Sequence, residues 1–247
     1  MEAIPMAAPP GKGEVMLQVK SVGICGSDVH YWQHGEIGDF KLGDRLVLGH
    51  ETAGVVHMIG EGVTDLQVGD RVALEPGVAC GQCNNCKIGR YNLCPEMKFW
   101  ATPPYDGSLC NFITHPAAYC FKLPDTMSFE EGAMIEPFSV SVYACRRAGV
   151  TVSSKVLILG AGPIGCMCVL AAKAFGATSI MVTDLEEARL EVAKKCGASA
   201  VVQVPHRSDY DIKQHLLFVP DITMECTGAQ SCIAAAMQAT ASGGKVV

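Results

Sequence analysis

No apolar run in this chain is long enough to cross a bilayer. The longest, residues 164–172, falls far short of the ~20 residues that a membrane helix needs. Basic residues are few and scattered, 19 Lys and Arg against 25 Asp and Glu, for a net charge of −6. With no basic stripe, nucleic acid and anionic membranes are not expected as partners. The first ten residues lack a basic segment leading into an apolar one, so no signal peptide is expected there. Internal repeats and low-complexity segments are absent as well. What the chain does have is 49% apolar residues, enough over 247 positions for two domains with a sizeable core, and thirteen cysteines. Without an export signal those thiols are expected to be reduced, in the cytosol, serving as metal ligands or core packing rather than disulfides.

The grammar changes once along the chain. Residues 1–13 are rich in Pro and Gly and read as extended. Residues 14–24 read as a strand in which Val15, Leu17 and Val19 alternate with polar or exposed positions. Further short strands are expected at 55–59 and 71–74, separated by glycine turns, which makes residues 1–137 a β-rich domain. Ser128 and Glu131 have the spacing of a capping box, so a helix is expected to start there. Beyond it strands and helices alternate: strands at 155–159, 179–183, 200–204 and 221–225, helices at 163–175, 186–196 and 229–239. Unbroken apolar strands between helices indicate a parallel sheet covered on both faces, so residues 138–247 read as a doubly wound α/β domain.

Two cysteine systems carry chemistry. Cys25, His50 and Glu51 lie in the glycine-punctuated segments Gly23-Ile-Cys-Gly-Ser-Asp28 and Gly49-His-Glu-Thr-Ala-Gly54. A thiolate, an imidazole and a carboxylate suit zinc, and three protein ligands leave a fourth position for water or substrate. The same residues also read as a buried cysteine and an unrelated His-Glu pair. In the loop 80–94, Cys80, Cys83, Cys86 and Cys94 can enclose a tetrahedral zinc, a closed shell that holds a loop together. Free thiols or a redox pair are the alternative. The other cysteines, from Cys110 to Cys232, show no ligand spacing and read as small core residues.

Gly160-Ala-Gly-Pro-Ile-Gly165 sits where a strand ends and a helix begins, the context that a dinucleotide-binding turn requires. Gly160 makes the tight turn, Gly162 admits a pyrophosphate, Ile164 follows it into the helix, and Gly165 allows close helix–strand packing. Asp184, about twenty residues on, suits ribose hydroxyls and repels a 2′-phosphate, favouring NAD over NADP. Arg189 either lies along the adenosine, accommodates a phosphate, or is an ordinary exposed arginine. A plain glycine turn in a non-binding sheet is the bland alternative.

Gly49-His50-Glu51-x2-Gly54-x5-Gly60-x2-Val63 resembles the zinc signature of the medium-chain alcohol dehydrogenases, and the four-cysteine lobe and GAGPIG follow in that family's order. Gly23-Ile-Cys-Gly-Ser-Asp-Val-His-Tyr-Trp32, Ala101-Thr-Pro-Pro-Tyr-Asp-Gly107 and Phe129-Glu-Glu-Gly-Ala-Met-Ile-Glu-Pro137 resemble the sorbitol dehydrogenases and related polyol dehydrogenases. The resemblance covers essentially the whole chain. It implies a GroES-like catalytic domain before a Rossmann domain, and an NAD-dependent zinc enzyme oxidising a small polyol, sorbitol to fructose first, with xylitol and arabinitol as close competitors. It implies catalytic zinc at Cys25, His50 and Glu51, with Glu136 as a further ligand or holding the zinc-bound water, and structural zinc on the cysteine lobe. Asp28 is implied to orient His50. Ser27 and Tyr31 are implied to touch substrate or water, and Phe99 and Thr102 to line the pocket. His30 either joins a proton path or is an exposed histidine, while His34, His57 and His115 match no motif.

Some sorbitol dehydrogenases lack the cysteine lobe, so a lobe-bearing member or near relative is implied. Family members also continue past Val247, where a fifth parallel strand is expected to begin, and the chain is expected to begin inside the first domain, without the family's opening strand. An inactive zinc- and nucleotide-binding fragment is therefore the competing expectation, and a zinc-free quinone reductase of the same fold a more distant one. The resemblance implies a homotetramer for the full-length form.

Overall fold

A computed structural model describes residues 3, 5–205 and 211–247. The extended reading of residues 1–13 includes positions 1, 2 and 4, which lie outside the described residues. The chain divides into two compact units, Met1–Glu136 and Pro137–Val247.

The first unit is built on a five-stranded antiparallel sheet. In spatial order its strands are Phe112–Pro116, Glu14–Gly23, Glu51–Ile59, Arg71–Leu74 and Cys120–Lys122. The expected alternation in the first strand gives way to a run, because Val15, Met16 and Leu17 are all buried. The strand is paired on both sides, and its register with Glu51–Ile59 shifts between Met16 and Leu17 and again between Val19 and Ser21. Such bulges break strict inward–outward alternation. Val15, Leu17, Val56, Val72 and Leu74 form the core on one side of this sheet.

Helix Gly26–His34 was not expected from periodicity, since its buried residues are Asp28 and Tyr31 rather than an apolar stripe. Gly35, at φ 75°, ends it, its N–H donating to the Tyr31 carbonyl at 2.9 Å. The capping box is formed as expected. Glu131 N–H donates to Ser128 Oγ (3.1 Å) and Ser128 N–H to Glu131 Oε2 (2.7 Å), which starts the short helix Phe129–Ala133. Arg71 fixes the approach to it. Its guanidinium lies 4.5 Å from the Phe129 ring centroid and donates to the carbonyls of Asp125 and Met127.

The second unit is a parallel sheet ordered Ala200–Gln203, Ser179–Asp184, Lys155–Leu159, Ile222–Glu225 and Lys245–Val246. Helices Pro163–Ala174, Glu187–Cys196 and Gln230–Ala239 connect the strands, each boundary within two residues of the sequence reading. Val156 and Ile158 pack into one core with Val169 and Ala172, while Leu157 and Leu159 pack into another with Met181 and Ala236. Burial of both faces explains why this strand reads as an unbroken apolar run. Each of its fully buried aliphatic side chains contributes about 1.5–3 kcal/mol.

Candidate functional site

Cys25 precedes helix Gly26–His34 as its N-cap, and Glu51 opens the strand Glu51–Ile59 with His50 just before it. One donor atom from each of Cys25, His50 and Glu51 lies within 4.8 Å of the others. Glu136, in the first turn of helix Ile135–Ala148, stands outside that trio, yet the charges of His50 and Glu51 both act on it.

Main-chain ties hold the two donor segments together. Asp28 Oδ2 accepts from the Cys25 N–H (3.0 Å) and Oδ1 from the Gly49 N–H (2.8 Å). Its nearer oxygen is 3.7 Å from His50 Nδ1, too long for a hydrogen bond. Its oxygens are drawn to two backbone amides, so it acts on the loops that carry the ligands, while His50 Nδ1 has no hydrogen-bond partner. On the far side of Gly49, the segment 107–109 lies along 47–49. Gly107 N–H donates to Val47 O (2.6 Å), Ser108 N–H to Gly49 O (2.8 Å) and Leu109 N–H to Leu48 O (2.8 Å). The approach needs glycine on both segments. A Cβ on Gly107 would stand 2.2 Å from the Gly49 carbonyl oxygen, and one on Gly49, at φ +90°, 2.7 Å from Leu109 Cγ. The Ser108 hydroxyl in turn hydrogen-bonds the Thr52 hydroxyl, both side chains being buried. No sequence motif marks Thr52 or Ser108 as site residues.

The electrostatics suit a cation. A hydrogen bond from His50, then contacts from Ser27, lower the Cys25 thiol against an opposing effect of burial. Burial disfavours the His50 imidazolium, but Cys25, Asp28 and Glu136 outweigh it and the net shift is upward. Burial pushes both Glu51 and Glu136 up, with His50 opposing. A thiol and a carboxyl gathered with one imidazole form a donor set that a divalent ion fits.

Ser27, expected beside substrate, hydrogen-bonds Cys25 through both its side chain and its backbone. Tyr31 is 3% exposed. Burial raises its hydroxyl, partly offset by a hydrogen bond with Thr102. Phe99 lies against His50, ring centroids 5.6 Å apart. His30 and His34 are exposed, their tilted rings 4.5 Å apart between centroids, and the His57 and Phe112 ring centroids are 5.0 Å apart. His115 is 1% exposed and its Nε2 lies 2.9 Å from the Glu75 carbonyl.

Cys80, Cys83, Cys86 and Cys94 also bring their sulfurs within 4.8 Å of one another. Amides of Gln82 and Cys83 hold Cys80 down to about 7, and Cys83 N–H lies 3.3 Å from its sulfur. Among the described residues these two groups are the candidate metal sets.

In the second unit, Gly160 turns at φ +98° and Gly162 caps helix Pro163–Ala174 with open space where a Cβ would stand. A Cβ on Gly165 would meet the Gly160 carbonyl oxygen at 1.9 Å, so turn and helix pack backbone to backbone. Ile164 is partly buried against the core, and its carbonyl accepts from Ser141 Oγ at 3.3 Å. Asp184 Oδ2 accepts from Ala161 N–H (2.7 Å) and Oδ1 from Glu186 N–H (2.9 Å), with the exposed Arg189 Nη1 3.9 Å away. The helix N-terminus and the open Gly162 position form a cradle that fits a pyrophosphate.

Residues 11–125 match the alcohol dehydrogenase GroES-like domain and residues 163–247 the zinc-binding dehydrogenase domain. The chain is 53% identical over 242 residues to sorbitol dehydrogenase from Gallus gallus and 54% over 242 residues to that from Bos taurus. In each case the match covers 96% of this chain and 68% of the relative. Among solved structures, an Escherichia coli oxidoreductase/dehydrogenase of unknown specificity superposes with a TM-score of 0.89 at 39% identity, over 97% of this chain and 70% of that one. The chain belongs to the zinc-binding dehydrogenases, in the family of the sorbitol dehydrogenases.

Proposed function

We propose that the chain catalyses oxidation of a polyol by hydride transfer to NAD⁺, with sorbitol to fructose as the leading reaction and xylitol and related polyols as competitors. The observation that carries this reading is the clustering of Cys25, His50 and Glu51 donors within 4.8 Å, in a chain 53% identical to a sorbitol dehydrogenase. When bound, zinc supplies Lewis-acid stabilisation of an alkoxide and NAD⁺ accepts the hydride.

Cys25, His50 and Glu51 hold the catalytic ion, and Ser27 supports the Cys25 sulfur through its hydroxyl and amide. Asp28 keeps Cys25 and Gly49 in register. Glu136, on which the charges of His50 and Glu51 act, can exchange a proton beside the metal or take a place in its shell. Tyr31 and Thr102 act on substrate as a hydrogen-bonded pair, and Phe99 orients the His50 ring. Cys80, Cys83, Cys86 and Cys94 hold a structural zinc that shapes the loop 80–94. Residues 1–137 form the catalytic domain and 138–247 the nucleotide-binding domain. There Gly160, Gly162, Ile164 and Gly165 receive the pyrophosphate, Asp184 the ribose, and Arg189 the adenosine. The same reading gives a cytosolic protein and a homotetramer in the full-length form.

The test is NADH formation by the zinc-loaded 247-residue chain with sorbitol, xylitol and arabinitol. Turnover of any of them that is lost on Glu51→Ala supports the reading. Zinc and NAD⁺ binding with no turnover of any polyol overturns it in favour of a binding fragment.

A further inference from the structure

The His50-Glu51 dipeptide is flanked by Gly49 and Thr52, and both flanks are tied to a single residue. Ser108 N–H donates to the Gly49 carbonyl at 2.8 Å, and the Ser108 hydroxyl hydrogen-bonds the Thr52 hydroxyl. Ser108 is 0% exposed and Thr52 1%, so neither hydroxyl can exchange its partner for bulk water. Neither side chain belongs to a candidate metal set.

We infer that Ser108 is a positioning residue for the catalytic metal, a bracket that fixes both ends of the His50-Glu51 pair and thereby the placement of imidazole and carboxylate. The bracket works with Asp28 and not through it. Asp28 holds the Gly49 amide, whereas Ser108 holds the Gly49 carbonyl, and only Ser108 reaches Thr52 on the strand side. Without the hydroxyl pair, the start of strand Glu51–Ile59 keeps its ladder to Glu14–Gly23 but loses its side-chain tie to the loop 107–109. The metal donors then sample a wider range of separations, which lowers affinity at this centre alone. The inference rests on the proposed metal role of Cys25, His50 and Glu51.

Cadmium-113 NMR of the cadmium-loaded chain tests both, since a four-sulfur centre and a mixed S/N/O centre give separate lines. Zinc competition with a chelator supplies the affinities. In Ser108→Ala and in the nearly isosteric Thr52→Val, the mixed-centre line is expected to shift or broaden and zinc affinity there to fall about 10-fold. The four-sulfur line, which also reports an intact fold, is expected to stay in place. Thr52→Ser, which keeps the hydroxyl, is expected to behave as wild type, and the double variant no worse than either single one. A mixed-centre line and affinity unchanged in both variants overturn the bracket, as does equal weakening of the two centres. A wild-type chain with only the four-sulfur line overturns the metal reading itself, and the bracket with it.

Discussion

The Asp28 carboxylate lies 2.8 Å from the Gly49 amide nitrogen, bridging two segments twenty-one residues apart in sequence. Since the same side chain also accepts from Cys25 N–H, replacing one oxygen removes a tie between the metal-donor segments. Asp28→Asn puts an amide group against a backbone donor at one of these positions. It is expected to destabilise the first unit by about 1–3 kcal/mol and weaken catalytic zinc about 10-fold. Denaturant unfolding and chelator competition measure the two effects. A variant as stable and as tight as wild type would remove Asp28 from the positioning role.

Two donor groups predict two zinc ions per chain. Cys83→Ser is expected to remove one of them and to make the loop 80–94 prone to proteolysis while the other ion stays bound. Elemental analysis with limited proteolysis checks this. Loss of both ions together would mean that the centres are not independent.

Gly162 and Gly165 separate binding from folding. A Cβ at Gly162 meets nothing within 4 Å, and its φ of −69° suits alanine. Gly162→Ala should therefore alter unfolding by less than about 1 kcal/mol while weakening NADH binding. A Cβ at Gly165 stands 1.9 Å from a backbone oxygen, so Gly165→Ala should lose NADH binding and also cost on the order of 3 kcal/mol in stability. NADH fluorescence titration beside thermal melts distinguishes the two variants. Unimpaired NADH binding by Gly162→Ala would exclude this turn as the pyrophosphate site.

How much of this was readable in the sequence depended on whether a feature repeats locally. The run from Val156 to Leu159, the strand–turn–helix around Gly160 and the Ser128–Glu131 capping box each concern neighbours in the chain, and each was legible. The donors Cys25, His50 and Glu51 were legible as a chemical set. What holds them was legible only at Asp28, which the resemblance implies to orient His50. Asp28 works on main-chain amides, which carry no sequence signature, and Ser108 meets Thr52 across 56 residues with no motif to link them. Helix Gly26–His34 carries no periodic signal for a related reason: it buries a carboxylate and a phenol rather than an apolar stripe.

His115 offers a test at acid pH. Burial holds its imidazole down to about 4, against about 6.5 for an unfolded histidine. Between those values the unfolded state binds the extra proton, so this contribution to stability is complete above about pH 6.5 and is lost as pH falls towards 4. The loss totals about 3 kcal/mol. His115→Gln, which can keep a donor towards the Glu75 carbonyl, is expected to flatten that part of the stability profile. Parallel profiles for the two proteins from pH 7 to about pH 4 would show that His115 titrates normally.

Asp184 braces the fold as well as facing the proposed ribose position. Its two oxygens join the turn at Ala161 to the turn at Glu186. A lineage moving towards a 2′-phosphorylated coenzyme would need to discard this negative charge, and with it the acceptor for two amides. Coenzyme preference is thereby bound to the two turns that follow strands Lys155–Leu159 and Ser179–Asp184. A change of preference would have to begin with compensating substitutions around these turns and reach position 184 last.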